Sequence, residues 1–149
     1  MTVVGLGSLS GGDDAVGIAV IAALREAGAG ADLLAIRDAS ALIDLLAAGD
    51  RVVLVDAVVG LGPPGTVSVL AEADLDGAAK PVSTHALSVP GAVSLARTLY
   101  GAVPRLDLVG VTIDLPRGPQ LELSPAVAAA IPAAVAAVRR LIAQEPDHA

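Results

Sequence analysis

The run Arg51-Val52-Val53-Leu54-Val55-Asp56-Ala57-Val58-Val59 does most to constrain the fold. It is apolar without alternation, so as a strand it has no face to offer water and belongs inside a sheet covered on both sides. The chain is 54% hydrophobic yet holds no Phe, no Trp and one Tyr, Tyr100, so its core is assembled from Val, Leu, Ile and Ala. Aliphatic, β-branched strands of this kind suit parallel sheets packed between helices. The one carboxylate in the run, Asp56, is costly between Val55 and Ala57 unless it is paired, hydrogen-bonded or metal-bound.

The remaining chain alternates strands with helices. Met1 to Leu6 is a β-branched strand, followed by a Gly and Ser loop, by Asp13-Asp14, and by a helix from Ala15 to Ala27 that stops at Gly28-Ala29-Gly30. Asp before an apolar-periodic segment is an N-cap signal, so one of Asp13 and Asp14 is expected to cap this helix and the other to point into the crevice above the strand ends. A second strand follows at Asp32 to Ile36, and Ser40 is placed to cap a second helix from Ala41 to Ala48. The turn Gly60 to Gly65 leads too soon into the alternating Thr66 to Leu70 for a helical crossover, which predicts an antiparallel strand at a sheet edge.

A charged surface segment, Glu72 to Lys80, and Pro81-Val82-Ser83-Thr84-His85 precede a helix that begins at Ala86 or Ser88 and ends at Tyr100. The last strand is Arg105 to Ile113, and the closing helix starts on Ser124-Pro125, kinks or restarts at Pro132 and ends near Ala143. The expected fold is a three-layer α/β/α sandwich around a mostly parallel twisted sheet of about five strands, one of them an antiparallel edge. Its 149 residues suit a single domain, placed at residues 1–144, with residues 145–149 as a disordered tail.

Charge and composition exclude several roles. A net charge of −7 lacks the basic footprint of nucleic-acid binding. Without cysteine there are no disulfides, thiolate metal sites or thiol nucleophiles. The apolar segment near the end is broken by Pro125 and Pro132, so a buried or amphipathic helix is expected and no membrane association. The first strand begins directly, without an export signal, which makes the cytoplasm the expected compartment.

In open α/β sheets the ligand crevice lies beyond the carboxyl ends of the parallel strands. Asp14 after the first strand, Asp56 at the end of the central strand and His85 before the third helix all fall there. Two carboxylates and an imidazole make a ligand set for a borderline cation such as zinc or nickel, with positions left open. Taken alone, His85 reads more readily as a capping or hydrogen-bonding residue at a helix start. The other histidine, His148, sits in the tail. Gly5-Leu6-Gly7 is no dinucleotide fingerprint, because its third glycine is misplaced and Asp13-Asp14 would repel a pyrophosphate. Ser83 and Ser88 lack a nucleophile elbow.

Gly5-Leu6-Gly7-Ser8 with Gly12-Asp13-Asp14-Ala15-Val16-Gly17, then Val55-Asp56-Ala57, Pro64-Gly65-Thr66, Ser83-Thr84-His85, Val109-Gly110-Val111 and Leu123-Ser124-Pro125, resemble in order the hydrogenase maturation endopeptidases. The resemblance spans nearly the whole chain. It implies a cytoplasmic α/β protein that removes a short C-terminal peptide from the precursor of a nickel-iron hydrogenase large subunit after nickel insertion. It also implies that Asp14, Asp56 and His85 contact that nickel, for which zinc or cadmium would be surrogates in the free protein, and that the peptidase works through acidic side chains, as aspartyl proteases do. Two departures bear on substrate choice and on activity: Ser8 stands where the family has Asn, and Asp38-Ala39-Ser40 replaces Asp-Gly-Gly-Thr. The competing expectation is a non-catalytic nickel-binding chaperone or assembly factor on the same fold.

Overall fold

The computed structural model describes residues 1–7, 11–72, 74, 88–115 and 120–144. In chain order these form β1 (Thr2–Leu6), a single 3-10 turn (Gly12–Ala15), α1 (Val16–Glu26), β2 (Asp32–Ile36), α2 (Ala41–Ala47), β3 (Val52–Val58), β4 (Val67–Ala71), α3 (Val89–Tyr100), β5 (Leu106–Thr112) and α4 (Pro125–Ala143). The five strands lie in the order β2-β1-β3-β5-β4. The first four in that order are parallel, and β4 runs antiparallel to β5 at the edge, as the short turn before it requires.

Every residue of β3 and of β5 is buried, so neither strand has a solvent face. Their side chains sort by parity, as a pleated strand dictates. Val53, Val55, Val109 and Val111 meet Val20, Ile21 and Leu24 of α1 and Val127, Ala134 and Val138 of α4. Val52, Leu54, Val58, Leu106 and Leu108 meet Leu42 and Leu46 of α2 and Ala92, Val93 and Ala96 of α3. Asp56 shares the parity of Leu54 and Val58, which puts a carboxyl on the α2/α3 face of the sheet.

The sheet order reverses between β1 and β3: from β1 the chain steps outward to β2, then returns to β1's other side as β3. That reversal puts the switch point, where open α/β sheets form their ligand crevice, at the carboxyl ends of the two strands. α1 lies close over β1 and β3, because Gly5 of β1 and Gly17 of α1 leave no side chain between helix and sheet.

Several local expectations need correcting. Neither Asp13 nor Asp14 caps α1: the 3-10 turn intervenes, Ala15 holds the cap position, and no side chain caps there. Ser40 precedes α2 in a helical conformation without a capping bond, and instead its N–H donates to Asp38 Oδ1 at 2.9 Å. Ser124 does sit at the N-cap of α4 with Pro125 following, but its hydroxyl caps nothing. Ser88 caps α3 as expected, its Oγ accepting the Gly91 N–H at 3.0 Å. α4 runs through Pro132 without restarting. By length and apolarity α4 is the one helix among the described residues that could cross a membrane, and here it packs Val127, Ala130, Ala134, Ala137, Val138 and Leu141 into the core. Most of the charged segment expected at the surface, the Pro81–His85 stretch and the tail lie outside the described residues, as does Ser8.

Candidate functional site

Two buried acids sit in the central strands and are treated in opposite ways. At the amino end of β5, Asp107 Oδ2 accepts Arg51 Nη2 at 2.9 Å and Arg105 Nη2 at 3.1 Å, so its charge is answered twice. Asp56, near the carboxyl end of β3, has no cationic partner among the described residues. It is 8% exposed, and the bond found for it is Oδ1 accepting the N–H of Ala57 at 2.8 Å.

The electrostatics follow from that isolation. Burial pushes the Asp56 carboxyl up to about 8; the Ala57 N–H pulls the other way, and the negative charge of Asp14 adds to the rise. Asp14, on the 3-10 turn, is itself raised, first by partial burial and then by the charge of Asp13. The turn that carries Asp14 therefore lies near enough to β3 for the charge of Asp14 to act on Asp56, and β1 and β3 flank the reversal point of the sheet. At neutral pH Asp56 is therefore held largely protonated. A divalent cation would supply the positive charge that Asp56 lacks and would displace that proton.

The crevice position rests on glycines. Gly110, the register partner of Asp56 on β5, contributes no side chain beside it. Gly12 at φ 67 turns the backbone so that Asp13 and Asp14 follow in a tight 3-10 turn. Asp13, 6% exposed, points into the protein, where Oδ1 accepts the Ser124 N–H at 2.7 Å and Oδ2 accepts Gln120 Nε2 at 3.3 Å.

Of the expected triad, the structure brings Asp14 and Asp56 together, and His85 lies outside the described residues. Among the described residues no group of three His, Asp or Glu side chains is gathered to hold a metal ion. Asp38 sits just beyond β2, its carboxylate folded back on Ser40. Ala39 and Ser40, which replace Gly and Gly-Thr positions in the resemblance, bring no strain: no described residue other than glycine has positive φ. The open depression lined by Met1, Ala29, Gly30, Ala31 and Asp32 lies by the amino ends of β1 and β2, away from the acid pair. Sequence reasoning missed Gln120 and the true partner of Asp13. The available hint was that two adjacent acids exceed what one helix start needs.

Comparison with known proteins bears on this arrangement. A family described as hydrogenase maturation protease matches residues 37–141. The hydrogenase maturating endopeptidase HybD from Escherichia coli is similar in structure at a TM-score of 0.79 and 25% identity, over 96% of this chain and 91% of that one. A hydrogenase 2 maturation peptidase from a Thaumarchaeota archaeon is 27% identical at a TM-score of 0.66, over 97% and 98% of the two chains. The solution structure of an endopeptidase from Escherichia coli gives a TM-score of 0.72 at 25% identity, over 93% of this chain and 90% of that one. Among curated proteins no significant sequence match is found.

Proposed function

The chain belongs to the hydrogenase maturation protease family, and from that premise we propose that it is an endopeptidase removing a C-terminal peptide from the nickel-loaded precursor of a nickel-iron hydrogenase large subunit. The observation that carries the reading is Asp56: a buried carboxyl without a cationic partner among the described residues, set beside Asp14 at the point where open α/β sheets bind ligands. A buried acid kept in that state invites a positive charge from outside. The nickel already held in the precursor supplies it.

In this reading Asp14, Asp56 and His85 complete the coordination of the substrate's nickel, and zinc or cadmium substitutes for it in the free protein. Docking fixes the adjacent peptide bond relative to the crevice, which turns a mobile tail into an oriented one. The substrate's metal then polarises the scissile carbonyl or acidifies a water, and a carboxylate of the crevice takes up the proton. Asp56 releases its own proton as it takes the metal, so it enters the reaction as a carboxylate. Recognition through the metal also makes nickel insertion a precondition for cleavage. The partner is the large-subunit precursor and the compartment the cytoplasm, with neither nucleic acid nor membrane involved.

The test is intact-mass spectrometry of a cognate precursor incubated with the protein, with and without nickel. A single truncation near the C-terminus in the nickel-loaded sample alone is expected. Equal cleavage of the nickel-free form refutes metal recognition. No cleavage of either form favours the chaperone role.

A further inference from the structure

Asp13 is bound to the loop between β5 and α4 rather than to its own helix. Its N–H donates to Gln120 Oε1 at 3.1 Å while Gln120 Nε2 donates back to Asp13 Oδ2 at 3.3 Å. The remaining oxygen, Oδ1, accepts the Ser124 N–H at 2.7 Å, the shortest of the three bonds. Gly12 presses on the same partner: a Cβ there would lie 2.8 Å from Gln120 Cβ and 2.9 Å from its carbonyl oxygen. The 3-10 turn is thus clamped by backbone contact and by a reciprocal amide–carboxylate pair, although helix α1 gains no cap from it.

We infer that Asp13 is a positioning residue: by locking Gln120 and Ser124 onto the 3-10 turn, it holds the next residue, Asp14, in place beside Asp56. A single 3-10 turn is too short to hold its own shape, since its N–H groups have few partners within it. The lock supplies one such partner, Gln120 Oε1 for the Asp13 N–H, and ties the Asp13 carboxylate to the same distant segment. Because Asp13 and Asp14 are adjacent on one short turn, a rotation that freed Asp13 would displace Asp14 as well. This assignment deepens the proteolytic reading and rests on it for its substrate readout.

The test uses the full chain as wild type, Gln120→Ala, Asp13→Ala and Asp13→Asn, with nickel chloride as the metal probe and nickel-loaded precursor as substrate. Gln120→Ala removes two of the three bonds from a half-buried position and is expected to keep its Tm within about 3 °C. Its nickel affinity and its kcat/KM for processing are each expected to fall by about fivefold or more. Asp13→Asn keeps an oxygen for the Ser124 N–H and is expected to recover most of what Asp13→Ala loses. Combined with Asp14→Ala, Gln120→Ala is expected to add no further loss in processing, because the lock acts through Asp14. Folded variants with unchanged nickel affinity and processing overturn the proposal, as does a loss that persists in the Asp14→Ala background. Should Asp13→Ala not fold, Gln120→Ala decides alone. A wild-type protein that binds nickel but does not cleave the precursor defeats the protease reading, and the nickel affinities of the single variants then judge the lock by themselves.

Discussion

Gly5 and Gly17 meet backbone to backbone: a Cβ on Gly5 would stand 2.4 Å from the Gly17 carbonyl oxygen, and one on Gly17 would stand 2.4 Å from the carbonyl oxygens of Leu6 and Val55. The first helix therefore rests directly on β1 and on β3, the strand that carries Asp56. It is this contact that brings the turn bearing Asp14 down to the end of β3.

Gly17→Ala should accordingly act on the site as well as on stability. The added methyl meets two carbonyl oxygens rather than a flexible side chain, so helix and sheet must part, at a cost of about 1–3 kcal/mol. Gly30→Ala, where a Cβ would meet nothing within 4 Å, is the matched control and should be nearly neutral. Urea denaturation of both variants checks the difference; equal midpoints would mean that the close approach is not a constraint.

Asp56→Asn separates charge from shape. In the folded protein this carboxyl titrates at about 8, against 3.8 ordinarily. Between those values the folded state keeps a proton that the unfolded chain releases, so this residue's contribution to stability falls as pH rises from about 4 to about 8 and is level above. The Asn variant lacks that loss. Its urea midpoint relative to wild type should rise from pH 5 to pH 8 in the presence of a chelator, while processing is abolished. Midpoints that stay parallel across this range would show that Asp56 is not held protonated.

The sheet was legible because the run from Val52 to Val58 admits one environment, burial on both faces, and because Gly60 to Gly65 is too short for a crossover. Which strand neighbours which was not, since a parallel crossover can return to either side of β1. Asp13 escaped the sequence for a related reason. Its partners, Gln120 and Ser124, stand more than a hundred residues away, whereas the capping pattern weighs only the N–H groups that follow it. At Pro132 the pattern counted the missing hydrogen bond and not the contacts of Ala130, Ala134 and Val138, which hold α4 against the core on both sides of the proline. Asp14 and Asp56 were singled out by position alone: one follows β1, the other lies near the end of β3, and both strands border the reversal point.

Thr112 offers a test of how tightly the surrounding sheet is satisfied. It is 1% exposed, and its Oγ1 has no hydrogen-bond partner among the described residues. An unmet buried hydroxyl costs about 1–3 kcal/mol, and valine keeps both the β-branched shape and the strand preference. Thr112→Val should therefore raise stability by roughly 1 kcal/mol with processing unchanged. Increased stability with lost processing would instead give the hydroxyl a place in substrate binding.

The last prediction concerns the metal itself, in the absence of substrate. If Asp56 must give up its proton to take a cation, binding is a competition between the ion and a proton held at about 8. Displacing one proton makes the apparent affinity change by about tenfold per pH unit below that value and level off above it. Nickel, zinc and cadmium should all follow this slope, since the competition lies with the proton and not with the ion's identity. The binding itself should be weak: carboxylates and an imidazole without a thiolate make an open, incomplete ligand set. His85→Ala should lower the affinity at every pH, and unchanged binding would remove His85 from that set. Asp56→Asn should remove Asp56's share of the slope along with most of the binding, because the amide has neither a proton to lose nor a charge to offer. Calorimetric titrations at pH 6, 7 and 8 in buffers of different ionisation enthalpy count the protons released. Metal binding of wild type that is independent of pH over this range would place the ion elsewhere on the protein and leave Asp56 without its assigned role.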